Sequence, residues 1–273
     1  MEISFRTKAG GEHGWGNIIR LYNFYRYLIN VSPNYKYNFF LEADEDVYKF
    51  LEKKKIKFTK LKNKITIKEE KKILKKNKEN NYLICEMLDL SYDRQLMYKE
   101  LYNKVIVFDD LINQKYAADY VICAQEWPNY EITSISDKNT EFLIGYNYFI
   151  FNNYYEKFRE KRLQKKINKN VNSIVVILGG SDYENAYINI AKVFKKLNYK
   201  NNIHFILGFS SKNKNIKIIK NILPNSKISS NISNVAKFLY AADIAIVGGG
   251  YTKIEAAFCN TPCIVISVQW HQI

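Results

Sequence analysis

The chain has 273 residues, a length that fits two α/β domains of about 130 residues each, because single cores stop growing beyond about 250 residues. Its 47% of hydrophobic and 25% of charged residues exclude wholesale disorder, collagen-like repeats and low-complexity architectures. No apolar run approaches the ~18 residues of a membrane span, and the N-terminus carries no apolar signal segment. The sequence therefore predicts a cytoplasmic protein with no membrane span.

The net charge of +15 does not by itself indicate a nucleic-acid partner. Only six of the 42 basic residues are arginine, whereas proteins that read bases and phosphates favour the bidentate guanidinium. The densest basic run, residues 52–78, also contains Glu69 and Glu70 and keeps a weak apolar stripe. That pattern favours a solvated helix face over binding of a phosphate backbone. We expect no nucleic-acid partner and a mild attraction for anionic substrates.

The four cysteines do not predict a metal site. Cys85, Cys123, Cys259 and Cys263 lie in apolar stretches, and no pair has the spacing of metal ligands, since Pro262 interrupts the last two. We expect them to be small buried hydrophobic side chains.

In chain order, the first half alternates strands with helices. Such alternation predicts right-handed βαβ units and a parallel sheet. The predicted strands are 3–6, 37–41, 82–86, 104–108 and 120–124, and the predicted helices are 18–28, 45–53, the basic run and 92–102. This half forms a predicted first domain, residues 1–150.

A charged helix over 152–166 and a polar stretch predict a helical linker, residues 151–172. The second domain, residues 173–273, opens on the apolar run 173–178, which is typical of a strand buried on both faces. Its further predicted strands are 203–207, 227–228, 244–247 and 263–267, and its predicted helices are 186–197, 215–222, 232–240 and 251–258. We therefore predict two doubly wound domains with ligands bound in a cleft, where loops leave the carboxyl ends of the strands.

Three glycine loops that follow predicted strands, residues 10–16, 179–182 and 248–250, are the candidate anion-binding elements. A glycine loop before a helix lets backbone amides converge on an anion, and the helix dipole adds to the attraction. One such loop is weak evidence, because a strand-to-helix turn often needs glycine for its backbone conformation. Three loops favour a diphosphate-containing ligand. The first loop is not a dinucleotide fingerprint, because it lacks the third glycine. It is not a Walker A loop either, because no Gly-Lys-Ser/Thr follows.

The third loop is followed by Thr252, Lys253 and Glu255 on one predicted helix. A carboxylate one turn into such a helix is placed to accept both ribose hydroxyls of a nucleotide, and Thr252 and Lys253 are placed to meet phosphate oxygens. The alternative is that Glu255 is an ordinary surface residue favoured by the helix dipole.

A set of motifs spread over essentially the whole chain resembles one known family. The motifs are Phe5-Arg6, Gly14-x-Gly16-x-x-x-Arg20, Asp109-Asp110, Gly145-x-x-Tyr148, Gly179-Gly180-Ser181-Asp182 and Gly248-Gly249-Gly250-x-x-x-x-Glu255-Ala256. In order and spacing they are similar to the UDP-sugar hydrolase of pseudaminic acid biosynthesis and its relatives in spore-coat polysaccharide synthesis. The resemblance implies the α/β GT-B fold, with two Rossmann-like domains whose parallel sheets face across a cleft. We also expect a monomer.

The implied reaction is hydrolysis of UDP-2,4-diacetamido-2,4,6-trideoxy-β-L-altrose to UDP and the free sugar, with no metal and no cofactor. By the same resemblance, UDP contacts Gly180, Ser181, Asp182, Gly249, Gly250, Thr252 and Glu255, while the sugar side is formed by Arg6, Gly14, Gly16, Asn17, Arg20, Glu86 and Tyr148.

Two positions depart from the family pattern. Asn17 stands where the family has a catalytic histidine, and an amide cannot accept a proton at neutral pH. Asn17 could cap its helix or hold a sugar hydroxyl, and His13 could substitute as the base only if its loop folds back. After strand 82–86 the family commonly has aspartate and an aromatic residue, whereas this chain has Glu86-Met87-Leu88. Glu86 is either a carboxylate of the site or a solvated residue at the strand end.

These departures leave two alternatives to hydrolysis, a glycosyltransferase in which an acceptor hydroxyl replaces water and a binding protein with reduced catalysis. The chain stops at Ile273, shortly after the last predicted strand. Related chains continue with further helices, so we expect the second domain to be incomplete and to leave an exposed apolar edge near the C-terminus.

Overall fold

The computed structural model describes residues 1–76, 81–125, 130–166, 170–179, 185–208, 213–230, 232 and 234–267. The chain divides into two compact units, Met1–Ile150 and Phe151–Ile273. Each unit contains its own parallel sheet with helices in the connections. The prediction of two α/β domains with parallel sheets is confirmed.

The first unit is a seven-stranded sheet in the order β3-β2-β1-β4-β5-β6-β7. Every described strand pair in it is parallel. Its strands are β1 (Glu2–Ala9), β2 (Lys36–Ala43), β3 (Phe58–Lys60), β4 (Tyr82–Glu86), β5 (Lys104–Phe108), β6 (Tyr120–Cys123) and β7 (Glu141–Ile144). Its helices are α1 (Gly16–Val31), α2 (Glu45–Lys53), α3 (Ile67–Leu74), α4 (Tyr92–Leu101) and α5 (Tyr130–Ile135), with short 3-10 helices at Gly11–His13 and Tyr146–Tyr148.

The second unit is a five-stranded sheet in the order β10-β9-β8-β11-β12, again with parallel pairs. Its strands are β8 (Ser173–Ile177), β9 (Asn202–Leu207), β10 (Lys227–Ser230), β11 (Ile244–Gly248) and β12 (Cys263–Ile266). Its helices are α6 (Tyr154–Leu163), α7 (Ala186–Lys196), α8 (Asn213–Ile222), α9 (Ala236–Ala241) and α10 (Tyr251–Phe258).

The first sheet is buried on both faces because alternate side chains of its central strands enter two different cores. Phe5 and Ile84 pack in the cluster that includes side chains of α1 and α2. Leu83 and Cys85, which flank Ile84 along β4, pack in the cluster that includes side chains of α3 and α4. A polar side chain near the end of β1 or β4 therefore lies either on the face covered by α1 and α2 or on the face covered by α3 and α4.

Helix α6, the main part of the predicted linker, packs into the second unit. Tyr155 is only 3% exposed and belongs to the same apolar cluster as α9 and α10. The Arg162 guanidinium donates hydrogen bonds to the backbone carbonyls of Tyr240, Ala242 and Asn260 at 3.1, 2.7 and 3.3 Å. These contacts tie the helix to the loops at the amino ends of β11 and β12.

The interpretation of residues 52–78 as one solvated helix face is wrong. The segment contains the short strand β3 and then α3, which begins with a capping box between Thr66 and Glu69. Glu70 and Leu74 on α3 are fully buried, so one face of this helix enters the core. A three-residue edge strand inside a lysine-rich run carries no periodicity that distinguishes it from a helix. Strand β7 and helix α5 were also not predicted.

The last described strand, β12, is the edge of the second sheet and has the expected exposed apolar side chains. Ile264 and Val265 are 56% and 46% exposed. Cys85, Cys123 and Cys259 are buried free cysteines as predicted, and Cys263 on β12 is half-buried. Within the described ranges, we find no helix long and apolar enough to cross a membrane.

Candidate functional site

The strand orders place one topological switch point in each sheet, between β1 and β4 in the first and between β8 and β11 in the second. Connections from these neighbouring strands leave in opposite directions, which opens a crevice at their carboxyl ends where α/β proteins bind ligands. The three glycine loops singled out in the sequence follow β1, β8 and β11. The loops after β1 and β11 therefore lie at switch points, and of the loop after β8 the structure describes only Gly179.

The loop after β1 is held by its own hydrogen bonds. The Gly10 amide donates to the Gly14 carbonyl at 2.7 Å, and the Gly11 amide donates to the Asp44 carboxylate at 3.0 Å. The same carboxylate caps α2 through the Val47 amide at 3.1 Å. Gly10 has a φ of 81°, and a Cβ there would lie 2.2 Å from Asp44 Oδ2. The turn thus requires these glycines, and the amides of Gly10 and Gly11 are used within the protein instead of being free for an anion.

The residues after this loop lie where α1 begins. Gly16 is the exposed first residue of α1, and His13 is half-buried on the preceding 3-10 helix. Asn17 Nδ2 is 3.4 Å from the Lys8 carbonyl oxygen, and no side chain caps α1. The interpretation of Asn17 as a helix cap is therefore wrong. Its amide instead spans from α1 to the end of β1.

One helical turn further, Arg20 lies in a cluster that we call the edge ion cluster, formed by Arg20, Glu86 and Asp110. Arg20 Nε and Nη2 donate to Glu86 Oε1 at 3.0 and 2.7 Å, and Nη1 donates to Asp110 Oδ2 at 2.7 Å. Asp110 Oδ1 accepts the Ala124 amide at 2.8 Å, which fixes this carboxylate after β5. The cluster joins α1 to the carboxyl ends of β4 and β5.

Glu86 is the last residue of β4 and is only 3% exposed, so the interpretation of a solvated strand-end glutamate is wrong. Burial raises the pKa of its carboxyl to about 7 against the opposing effect of Arg20, and the nearby carboxylates of Asp110 and Asp109 raise it further. Thr7 Oγ1 donates to the Glu86 backbone carbonyl at 2.7 Å, which joins the ends of β1 and β4. The Glu86 carboxyl at the switch point thus gains or loses its proton near neutral pH.

Arg6 lies on the other face of the sheet, in a group that we call the core ion cluster, formed by Arg6, Glu42, Glu70 and Arg94. Arg6 is 0% exposed, its Nε donates to Glu70 Oε1 at 2.7 Å, its Nη2 pairs with Glu42, and Arg94 pairs with Glu70. Arg6 Nη1 donates to the Thr7 carbonyl at 2.8 Å. This geometry corrects the prediction that Arg6 contacts substrate, because its guanidinium is enclosed by core partners.

Tyr148 lies after β7, on the short 3-10 helix that follows Gly145. Its side chain is 39% exposed, and its amide donates to the Gly145 carbonyl at 3.1 Å. Gly145 has a φ of 118°, a backbone conformation that favours glycine. The Tyr148 side chain is therefore accessible to solvent. It belongs to neither of the two ion clusters.

In the second unit, the loop between β11 and α10 is short and held close to the sheet. A Cβ on Gly248 would lie 2.6 Å from the Leu178 carbonyl oxygen, so close strand packing requires this glycine. The Gly249 amide donates to the Ile266 carbonyl at 3.1 Å. Gly250 is the N-cap of α10 and, as a glycine, has no side chain with which to cap this helix. Its first-turn amides are therefore the groups in this loop that suit an anion.

Thr252 and Glu255 occupy the first turns of α10. Thr252 is buried, whereas Glu255 is half-buried and hydrogen-bonded to Tyr155 of α6. Burial raises the pKa of the Glu255 carboxyl against the effect of this hydrogen bond. Tyr155 was not predicted from the sequence, since nothing in a charged helix marks a residue that contacts α10. The predicted nucleotide contacts Gly180, Ser181 and Asp182 lie outside the described residues.

No family model and no curated protein matches the sequence. Among solved structures, MurG from Acinetobacter baumannii is similar with a TM-score of 0.64 at 13% identity, over 100% of this chain and 81% of MurG. UDP-GlcNAc 2-epimerase from Neisseria meningitidis has a TM-score of 0.62 at 12% identity, over 99% and 84% of the two chains. The UDP-glucosyltransferase from Polygonum tinctorium has a TM-score of 0.62 at 10% identity, over 99% and 80%.

The chain has the GT-B fold. This confirms the fold that the family resemblance implied, and at these identities the likeness extends to the fold alone. Among the described residues, no group of three or more histidine, cysteine, aspartate or glutamate side chains is arranged to hold a metal ion.

Proposed function

We propose that the protein binds the uridine diphosphate part of a UDP-sugar at the carboxyl edge of its second sheet. The observation that carries this proposal is the N-terminus of α10 at a switch point, with the glycine Gly250 as its N-cap and Glu255 one turn into the helix. Helix N-terminal amides suit a phosphate, and the carboxylate suits the ribose hydroxyls. The solved structures with this fold named above include proteins that act on UDP-sugars, which supports the same ligand class.

In this proposal the backbone of Gly249 and Gly250 lies beside the diphosphate, which accepts hydrogen bonds from the Gly250 amide and the Thr252 hydroxyl, and Glu255 accepts the ribose hydroxyls. The Tyr155 hydroxyl holds the Glu255 carboxylate through their hydrogen bond. Gly180, Ser181 and Asp182 would contribute from the loop after β8, as the family resemblance implies.

We further propose that the protein hydrolyses the UDP-sugar to UDP and the free sugar. As the family resemblance implies, the sugar would be an amino sugar of the altrose type, and the product would enter surface polysaccharide or nonulosonic acid synthesis. Gly16, Asn17 and Tyr148 would face the sugar, and Arg20 would hold the carboxylates of the edge ion cluster beside it. Glycosyl transfer is the second candidate, because glycosyltransferases are among the solved structures with this fold. A binding protein with reduced catalysis is the third, since Asn17 cannot act as a base.

Calorimetry tests the nucleotide site directly. We expect the wild type to bind UDP and UDP-N-acetylglucosamine but not ADP. Glu255→Gln should weaken UDP binding by about 10- to 100-fold, because hydrogen bonds to a charged group contribute about 1.5–3 kcal/mol. Glu160→Gln, an exposed glutamate on α6 in the same unit, is the matched control and should bind UDP like the wild type. Failure of the wild type to bind UDP would overturn the whole proposal.

A UDP-release assay separates an enzyme from a binding protein. We expect the wild type to release UDP from an acetamido UDP-sugar in water alone, and Asn17→His to release it faster because a base is restored at that position. Release by Asn17→His with none by the wild type would contradict hydrolysis and favour the binding protein. Release that requires an added sugar acceptor would favour the transferase.

A further inference from the structure

Helix α6 brings a tyrosine hydroxyl to the carboxylate of the proposed nucleotide site. Helix α6 precedes β8 and α10 follows β11, yet the Tyr155 hydroxyl of α6 donates a hydrogen bond to the Glu255 carboxylate of α10. Tyr155 is buried in a cluster that is otherwise apolar. A hydroxyl in such surroundings is costly unless it is hydrogen-bonded, so the Glu255 carboxylate is the group that stabilises it there.

Aromatic contacts around Tyr155 hold α6 against α10. The Phe151 and Phe258 rings stack with a centroid distance of 4.0 Å, and the Phe151 ring also contacts the Tyr155 ring at 5.7 Å. The Arg159 guanidinium lies 5.2 Å from the centre of the Phe258 ring. A side chain whose orientation is fixed by packing can fix the group that it hydrogen-bonds. The Tyr155 ring therefore holds its hydroxyl, and with it the Glu255 carboxylate, in one place.

The Glu255 carboxylate can bind a ligand while it holds this hydrogen bond. An ionised carboxylate has about four acceptor positions on its two oxygens, and the Tyr155 hydroxyl takes one of them. Glu255 is half-buried, so part of the residue is open to solvent. Burial raises the pKa of its carboxyl, whereas the hydrogen bond from Tyr155 acts against this by favouring the charged form. The hydroxyl thus both orients the carboxylate and favours the form that accepts hydrogen bonds.

We propose that Tyr155 is a positioning residue that makes the nucleotide site selective for a ribonucleotide over a 2′-deoxyribonucleotide. A carboxylate that is already held in one orientation can accept hydrogen bonds from both ribose hydroxyls, whereas a freely rotating one loses conformational entropy on binding. A 2′-deoxyribose lacks one of the two donors, so it gains less from the fixed carboxylate. This inference rests on the proposed function, and Tyr155 and Glu255 both belong to the second unit.

Calorimetry with UDP and 2′-deoxy-UDP measures this selectivity as the ratio of the two affinities. The wild type should bind UDP about 10-fold more tightly than 2′-deoxy-UDP, the effect of one hydrogen bond to a charged group. Tyr155→Phe removes only the hydroxyl and should lower this ratio by about threefold or more, with a smaller change for 2′-deoxy-UDP than for UDP. A merely structural role for Tyr155 would weaken both nucleotides equally and leave the ratio unchanged.

Tyr240→Phe is the matched control, because this half-buried tyrosine of α9 also packs on α6, with its ring 5.7 Å from that of Phe158. It should keep the wild-type ratio. Glu255→Gln should lower the ratio, and adding Tyr155→Phe to it should have a much smaller effect than in the wild type, because the hydroxyl acts through this carboxylate. Tyr155→Met, which also lacks the hydroxyl, gives the same comparison should Tyr155→Phe fail to fold.

The outcomes separate this inference from the proposed function. An unchanged ratio in Tyr155→Phe would overturn the inference and leave the UDP site standing. So would a wild type that binds UDP and 2′-deoxy-UDP equally well, or a loss of selectivity in Tyr240→Phe as large as that in Tyr155→Phe. Failure of the wild type to bind UDP would instead overturn the proposed function.

Discussion

The two ion clusters of the first unit lie on opposite faces of the same sheet and differ in their charge balance. The core ion cluster, on the face covered by α3 and α4, pairs two arginines with two glutamates, and Lys8 Nζ lies 3.6 Å from Glu42 Oε2 as a further cation. The edge ion cluster pairs one arginine with two carboxylates beside α1. Both clusters are largely removed from water, so the difference in composition decides how each one behaves when pH changes.

In the core ion cluster every described charge has an opposite partner, and further hydrogen bonds surround it. The Tyr98 hydroxyl donates to Glu70 Oε1 at 2.6 Å, and Arg94 Nη2 donates to the Ile65 carbonyl at 2.9 Å. Such a network holds α3 and α4 against β1 and has little to exchange with a ligand. The edge ion cluster keeps a carboxyl that is poised to gain or lose a proton. Buried charges on one face are thus paired with each other, whereas on the other face the pKa of the Glu86 carboxyl is raised to about 7.

The largest effect is expected from Arg6→Met, which removes the central cation of the core ion cluster. Glu42 and Glu70 would remain buried with fewer partners, and breaking a buried pair costs about 3–5 kcal/mol. Urea unfolding at pH 7 should show this loss of unfolding free energy. Lys49→Met, at an exposed position on α2, should leave the unfolding midpoint unchanged. A loss below about 1 kcal/mol for Arg6→Met would contradict the structural role.

A second, pH-dependent effect is expected at Glu86. The pKa of its carboxyl is about 7 in the folded protein against an ordinary value of 4.5, so the folded state binds the proton more tightly than the unfolded chain. The resulting stability is present below pH 4.5 and is lost as pH rises through 7. The difference in unfolding free energy between wild type and Glu86→Gln should therefore fall by about 3 kcal/mol from pH 5 to pH 8.

This difference is measured by urea unfolding of the two proteins at several pH values, so that all other titrating groups cancel. Parallel stability curves for wild type and Glu86→Gln would show that the carboxyl does not change its protonation on unfolding. The charge-balance argument for the edge ion cluster would then be lost, whereas the fold would be unaffected.

The alternation of secondary structure was predictable because local patterns determine it. The strands β4 and β5 and the helices α2 and α10 have the predicted bounds, since each is an apolar run or a clean amphipathic repeat. The polar edge strand β3 was missed because its three residues carry no such pattern. Helix α6 was predicted, but not its packing, because the partners of Arg162 are 78 to 98 residues away along the chain.

The roles of the site residues were less predictable, since they depend on which face of the sheet a side chain enters. Arg6 and Arg20 both looked like ligands for an anionic substrate, yet Arg6 pairs with Glu70 and Arg20 with Glu86, 64 and 66 residues away. The sequence named Glu86 but could not show that its buried Oε2 has no hydrogen-bond partner within the described part of the chain. Asp110 was noticed only as part of an aspartate pair, and its salt bridge to Arg20 depends on the pairing of β4 and β5.

The smallest effect is expected from Tyr98→Phe, which removes one neutral donor from the core ion cluster and leaves its charges in place. Glu70 Oε1 would still accept from Arg6 Nε at 2.7 Å, so the loss should be about 1 kcal/mol in urea unfolding, the contribution of one hydrogen bond. Tyr27→Phe, at an exposed position on α1, is the control and should not change stability. If Tyr98→Phe cost as much as Arg6→Met, the hydroxyl rather than the charge balance would hold this face together, and the contrast between the two clusters would have to be explained by hydrogen bonding alone.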